Sequence, residues 1–208
     1  MIAQDVRLLV NDVDEAFLGR AVEARRIAWD IETTGLDWRS ARICTVQVAT
    51  TEEIAVVQIK DEQIPGALSR LLAAPDVEKV FHHAPFDLRF MAWAWRVQAR
   101  RVACTKVLSK VLDPTTPEGE HSLKPLLERY LGVHISKDEQ RSDWTAETLR
   151  SDQVAYAAND VRYLLALFDA MAERARYLGI WELASASFNY LPTRITLDLR
   201  GPGDVFAY

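Results

Sequence analysis

One stretch restricts this chain more than any other: Arg26-Ile27-Ala28-Trp29-Asp30-Ile31-Glu32-Thr33-Thr34-Gly35-Leu36. A β-rich run leads into two carboxylates and breaks at a Thr-Thr-Gly turn. Side chains alternate along a strand, so Asp30 and Glu32 share one face, roughly 6–7 Å apart. Two acids at the end of a buried strand are costly to keep ionised without a cation between them, and a divalent metal ion suits oxygen donors best. The competing reading is an exposed edge strand with solvated acids. More acids elsewhere in the chain would decide between the two.

At 208 residues the chain is expected to form one domain, residues 1–208, with a sizeable core. Its hydrophobic fraction of 49% and charged fraction of 26% are those of a soluble globular protein. No apolar run reaches the length of a membrane span, and Met1-Ile2-Ala3-Gln4-Asp5 lacks the regions of a signal peptide. A cytoplasmic protein with no membrane partner is therefore expected, with Cys44 and Cys104 as reduced core thiols. The net charge of −5 argues against gripping long nucleic acid by bulk electrostatics. Two bound divalent ions would offset most of that charge. Arg96, Arg100, Arg101, Lys106 and Lys110 make the middle of the chain basic.

Val6 to Val10 reads as a strand, and Asp12 or Asp14 can cap a helix running to about Ala24. After the organising strand, Ile43–Ala49 and Ile54–Ile59 read as two more. The short links between these three favour antiparallel pairing. Ala67–Leu72 reads as helix, Lys79–His83 as a short strand, and Pro85 opens the next helix. Val102–Cys104 can be a further strand. Helices follow over Lys106–Leu112, Leu123–Leu131 and a long span from Asp152 to about Arg174, capped by Ser151. Asp113 to Glu120 reads as a loose loop. The expected fold is an α/β domain with a mixed five-stranded sheet flanked by helices.

Two more acids join the first pair. Asp87, in His82-His83-Ala84-Pro85-Phe86-Asp87, falls in the first turn of a helix, and Asp160 lies four residues beyond Tyr156 on the same helix face. Taken singly, Asp87 fits a dipole-favoured surface position and Tyr156 a boundary residue. Together, four acids from separate elements suit a centre of two metal ions roughly 3.5–4 Å apart.

These residues resemble the three motifs of the DEDD 3′–5′ exonucleases: Asp30-Ile31-Glu32-Thr33-Thr34-Gly35-Leu36, His83-Ala84-Pro85-Phe86-Asp87 and Tyr156-x-x-x-Asp160. Position 155 is alanine, where the histidine branch needs His, so the chain is similar to the tyrosine branch, and within it to ribonuclease D. Ser122-Leu123-Lys124-Pro125-Leu126-Leu127, Leu131-Gly132 and Ser142-Asp143-Trp144 add to the likeness, which covers roughly residues 20–175. The resemblance implies a ribonuclease H-like fold. Asp30, Glu32, Asp87 and Asp160 would bind two Mg²⁺ or Mn²⁺ ions, and Tyr156 would orient the attacking water. Leu36, with Thr33 as a second substrate contact, would meet the terminal base; a plain core leucine is the alternative for Leu36. His83 and Trp144 are expected to be structural.

The C-terminal extension, residues 176–208, resembles that of the short nanoRNase C branch, together with Cys104-Thr105-Lys106 and Ile135-Ser136-Lys137. That implies a homo-oligomer, an octameric ring, degrading short single-stranded RNA down to dinucleotides and releasing 5′-mononucleotides. Phe188, Tyr190, Leu191, Ile195, Leu197 and Leu199 give the extension an apolar load that could serve its own core or a subunit interface. Three readings stay open: ribonuclease D-like processing of RNA 3′ ends, a DNA-directed 3′–5′ exonuclease, and an inactive nucleic-acid-binding subunit.

Overall fold

The computed structural model describes residues 5–60, 63–135, 142–201 and 205. Six strands form one sheet: β1 (Asp5–Val10), β2 (Arg26–Thr33), β3 (Ile43–Ala49), β4 (Glu53–Gln58), β5 (Glu78–Phe81) and β6 (Val102–Cys104), in the order β1-β4-β3-β2-β5-β6. Strands β2, β3 and β4 pair antiparallel and β5 and β6 are parallel, as expected. The sheet has one strand more than the expected five, because β1 adds itself parallel to the outer edge of β4. Flanking helices are α1 (Glu15–Ala24), α2 (Gly66–Ala73), α3 (Ala84–Trp95), α4 (Thr105–Leu112), α5 (Leu123–Leu131), α6 (Ser151–Arg162), α7 (Leu164–Tyr177) and α8 (Trp181–Arg200). The loop expected from Asp113 tightens into a 3₁₀ turn over Glu118–His121.

The pairing of β2 places the acids. Asp30 stands opposite Gln47 and Glu32 opposite Thr45, so β3 matches each acid with a polar residue on the same face. Gln47 and Thr45 are buried and bond to each other at 2.7 Å. On the other side, β5 stops at Phe81, the partner of Trp29. β2 therefore outruns β5 by the residues that carry the acids, and the space beyond Phe81 is open to the start of α3.

The single long helix expected from Asp152 to Arg174 is two. Tyr163 interrupts it, at φ −104° and ψ −2°. α6 lies across β2, β3 and β4, whereas α7 lies across β2 and β5, and one straight axis cannot serve both. Apolar residues at helical spacing run through the break as one stripe, with Ala158, Val161, Leu165 and Phe168 buried. Nor does Ser151 cap α6. It is the first helical residue, and Arg150 takes the cap, donating its N–H to the Gln153 side chain at 3.0 Å. The first helix does begin at a predicted cap, Asp14, which accepts from the Phe17 N–H at 2.7 Å.

The extension divides its apolar load. Phe188, Leu191 and Ile195 of α8 are buried, and Asp198 ties the helix to α3 and to itself through Arg89 at 3.8 Å and Arg194 at 2.8 Å. Tyr177 and Leu183 are 89% and 61% exposed. Ser136, Lys137, Asp204 and Phe206–Tyr208 lie outside the described residues. Both cysteines are buried and free, as expected.

Asp12, rejected as a cap for α1, caps α2 instead. Its carboxylate accepts the N–H groups of Ala67 at 2.7 Å and Leu68 at 2.9 Å, while Pro65 at the start of that helix offers no side-chain cap. Asp12→Ala is expected to lower unfolding stability by about 1–2 kcal/mol in denaturant titration and leave catalysis unchanged.

Candidate active site

Asp30, Glu32 and Asp160 bring carboxylate oxygens within 4.8 Å of one another. Asp87 joins them from the first turn of α3 and is only 2% exposed, so the surface-position reading does not hold. All four line one cleft of about 500 Å³ with Tyr156, Thr33 and Leu36, which is the convergence expected from the sequence.

The sharp entry to α3 explains how Asp87 arrives there. His83, expected to end a strand, sits instead in the left-handed region at φ 69° and turns the chain from β5 into the helix, with Pro85 in the first turn. Ala84 donates its N–H to the buried Cys104 thiol at 3.4 Å. Asp160 and Tyr156 come from one face of α6, as their spacing requires.

Burial and mutual repulsion set the protonation of the cleft. Burial, followed by the fields of Asp87, Asp160 and Glu32, pushes the Asp30 carboxyl well above the usual carboxylate range. Burial also raises Glu32, with Asp160 and Asp87 adding to it, to about 9. Asp87 is raised by burial against the hydrogen bonding of its own and the Ile31 backbone N–H. Its Oδ1 is buried and has no hydrogen-bond partner. An orphaned carboxylate oxygen facing three more acids is the donor set that hard divalent cations take, so these residues fit such ions. Burial and the Asp160, Glu32 and Asp30 charges drive the Tyr156 hydroxyl far above an ordinary phenol. Tyr156 therefore keeps its proton at neutral pH.

Leu36 is 85% exposed, which removes the core-leucine alternative. The Thr33 hydroxyl donates to the Gly35 carbonyl at 2.6 Å, so its proton serves the turn and only its oxygen faces outward as an acceptor. Trp144 is buried with its ring 6.0 Å from that of Tyr156, packing the entrance to α6 as expected, and it also lines the cleft. Of Arg96, Arg100, Arg101, Lys106 and Lys110, the cleft is lined by Lys106. Arg96 covers Trp93, Arg101 bonds the Asp76 carbonyl, and Lys110 shares Glu118 with Lys106. The sequence reading missed Lys106, Ser122 and Lys124 as cleft residues. Their signal was positional: Ser122 is the cap of α5, and Lys106 and Lys124 are the second residues of α4 and α5.

Fold and site together define a 3′–5′ exonuclease domain. The family described as 3′-5′ exonuclease matches residues 11–176, and the chain belongs to it. Within that family it is similar to the short ribonuclease D-like nuclease NrnC of Brucella melitensis, at 36% identity and TM-score 0.91, with 98% of each chain covered. Structures of that nuclease bound to pGG and to Mg²⁺ match at 34% identity and TM-score 0.90, covering 99% of this chain and all of theirs. Ribonuclease D of Xanthomonas oryzae is 33% identical over 158 residues, 74% of this chain. The chain spans 42% of that relative's length. Among the described residues no helix is long and apolar enough to cross a membrane.

The raised carboxyls imply a pH dependence with a definite sign. In the unfolded chain Glu32 titrates near its ordinary 4.5, whereas in the folded protein it holds its proton to about 9. Stability is therefore present in full below the first value and falls as pH rises towards the second. The melting temperature of the metal-free protein is expected to drop between about pH 5 and pH 9, and Mg²⁺ is expected to restore most of the loss at the alkaline end. A melting temperature that is flat over that range and insensitive to Mg²⁺ would contradict this assignment.

Proposed function

We propose that this protein removes nucleotides from the 3′ end of short single-stranded RNA, down to dinucleotides, and releases 5′-monophosphates. The observation that carries the reading is the convergence of Asp30, Glu32, Asp87 and Asp160, with Tyr156, in one cleft. These four acids would hold two Mg²⁺ or Mn²⁺ ions, which acidify water and offset charge at a phosphodiester when bound. Tyr156, still protonated, orients the attacking water by hydrogen bonding. Leu36 lies against the terminal base, with the Thr33 oxygen as a polar contact. Lys106 and Lys124 place positive charge along the same wall, where a polyanion needs it.

Several features support a short substrate. The cleft, at about 500 Å³, has the volume of a pocket for a small ligand. A net charge of −5 gives little purchase on long RNA. The Brucella nuclease, similar over its whole length, is seen with pGG. We extend the reading to assembly: a closed homo-oligomer, an octameric ring, with Tyr177 and Leu183 at or near the subunit contact. Exposed aromatic and aliphatic groups on α7 and α8 suit such a surface.

Asp30→Asn is expected to cut turnover about a thousand-fold or more while the fold persists. Tyr156→Phe should lose about a hundred-fold, because water activation does not depend on the phenol proton alone. Both are read from single-nucleotide shortening of 5′-labelled RNA with and without chelator. Activity undiminished by chelator would defeat the metal-dependent reading, and faster clearance of long RNA than of a dinucleotide would favour ribonuclease D-like processing. The assembly is checked by light scattering, where a monodisperse 23.6 kDa particle would exclude the ring.

A further inference from the structure

Leu36 gains nothing from its own packing, being 85% exposed at the rim of the cleft, so only its backbone can fix its position. The loop from Thr34 to Arg42 is held in two ways. One is a set of hydrogen bonds: Thr34 N–H to the Arg42 carbonyl and Arg42 N–H to the Thr34 side-chain hydroxyl, both at 3.0 Å, and Ala41 N–H to the Asp37 carbonyl at 2.8 Å. The other is aromatic. The Trp38 ring, buried two residues after Leu36, meets the Trp93 ring of α3 edge-on, with centroids 5.1 Å apart and planes at 68°. Arg39 covers the outer face of this pair at 4.1 Å from the Trp38 centroid, and Arg96 lies 4.6 Å from that of Trp93. Arg96 closes α3 in the left-handed region at φ 57°. Contacts of this kind, edge-to-face and cation–π, add orientation to simple burial.

Trp93 shares α3 with Asp87. One rigid helix thus carries both a carboxylate of the acidic cluster and the ring that seats the Leu36 loop. We propose that the Trp38–Trp93 contact is a positioning device that fixes how far Leu36 stands from the four carboxylates, so that a nucleotide whose phosphodiester lies over the acids meets Leu36 with its base. Neither tryptophan lines the cleft, so both are positioning residues acting through Leu36. The inference rests on the reading above that Leu36 contacts the terminal base.

The test is a double-mutant cycle on the full chain, measuring kcat and KM for a short RNA in saturating Mg²⁺. Leu36→Ala is expected to raise KM about ten-fold, the effect of losing one leucine side chain's burial against a base, with kcat within about two-fold of the parent. Trp93→Leu should do the same in the parent and add nothing in the Leu36→Ala background, while Trp93→Phe should keep most of the parental KM. An equal KM rise from Trp93→Leu in both backgrounds would overturn the inference, as would a fall in kcat at unchanged KM or no effect at all. If Trp93→Leu does not fold, Trp38→Phe in the same two backgrounds carries the comparison and is judged by the same outcomes. Leu36→Ala without effect on KM identifies a different failure, that of the base contact itself.

Discussion

Carboxylate oxygens of Asp30, Glu32 and Asp160 within 4.8 Å of one another, with Asp87 buried beside them, repel strongly in a partly desolvated cleft unless protons or cations intervene. The arrangement persists because each acid is fixed by an element anchored elsewhere. Asp30 and Glu32 belong to a strand with pairing on both sides, Asp87 to a helix forced to start by the turn at His83, and Asp160 to a helix whose other face lies in the core. No single element could relax the crowding without giving up its own packing. This is strain held at a functional site and offset by the rest of the fold.

The same crowding governs the neighbouring groups. Burial, and after it the charges of Asp160, Glu32 and Asp30, keep the Tyr156 hydroxyl protonated. The Lys106–Glu118 pair, at 3.1 Å, leaves a cation on the cleft wall tethered to an exposed partner. The loop carrying Leu36 is the counterpart of the acids: an exposed apolar group held by a clamp outside the cleft, where they are buried charges held by the core. A nucleotide has both chemistries, a flat base and an anionic linkage, and the cleft presents a surface for each.

Much of this was legible in the residues. Alternation in Ile43–Ala49 and the short links located the antiparallel core, and Pro85 marked the start of α3. The four acids and the tyrosine could be gathered because each sat at an element boundary or at helical spacing. What escaped was set by tertiary geometry. The break at Tyr163 leaves the apolar stripe uninterrupted, so periodicity cannot reveal it. β1 joined the sheet by pairing with β4, a strand not adjacent in sequence. Asp12 looked like a cap for the helix that follows it and instead caps α2, more than fifty residues on. Local signals name a capping residue but not the helix it serves. The clamp of Trp38 and Trp93 was invisible for the same reason: nothing near either residue announces the other.

The folded protein gathers more negative charge than it can keep ionised, and so holds protons at the site that bound divalent ions would replace. Calorimetric titration of the metal-free protein with Mg²⁺ near pH 7.5, repeated in buffers of different ionisation enthalpy, counts those protons directly. Net release of about one proton or more per protein is predicted, declining as the pH is raised past the Glu32 value of about 9. Mg²⁺ binding with no proton release at neutral pH, or release unchanged when Asp30 is replaced by Asn, would contradict it.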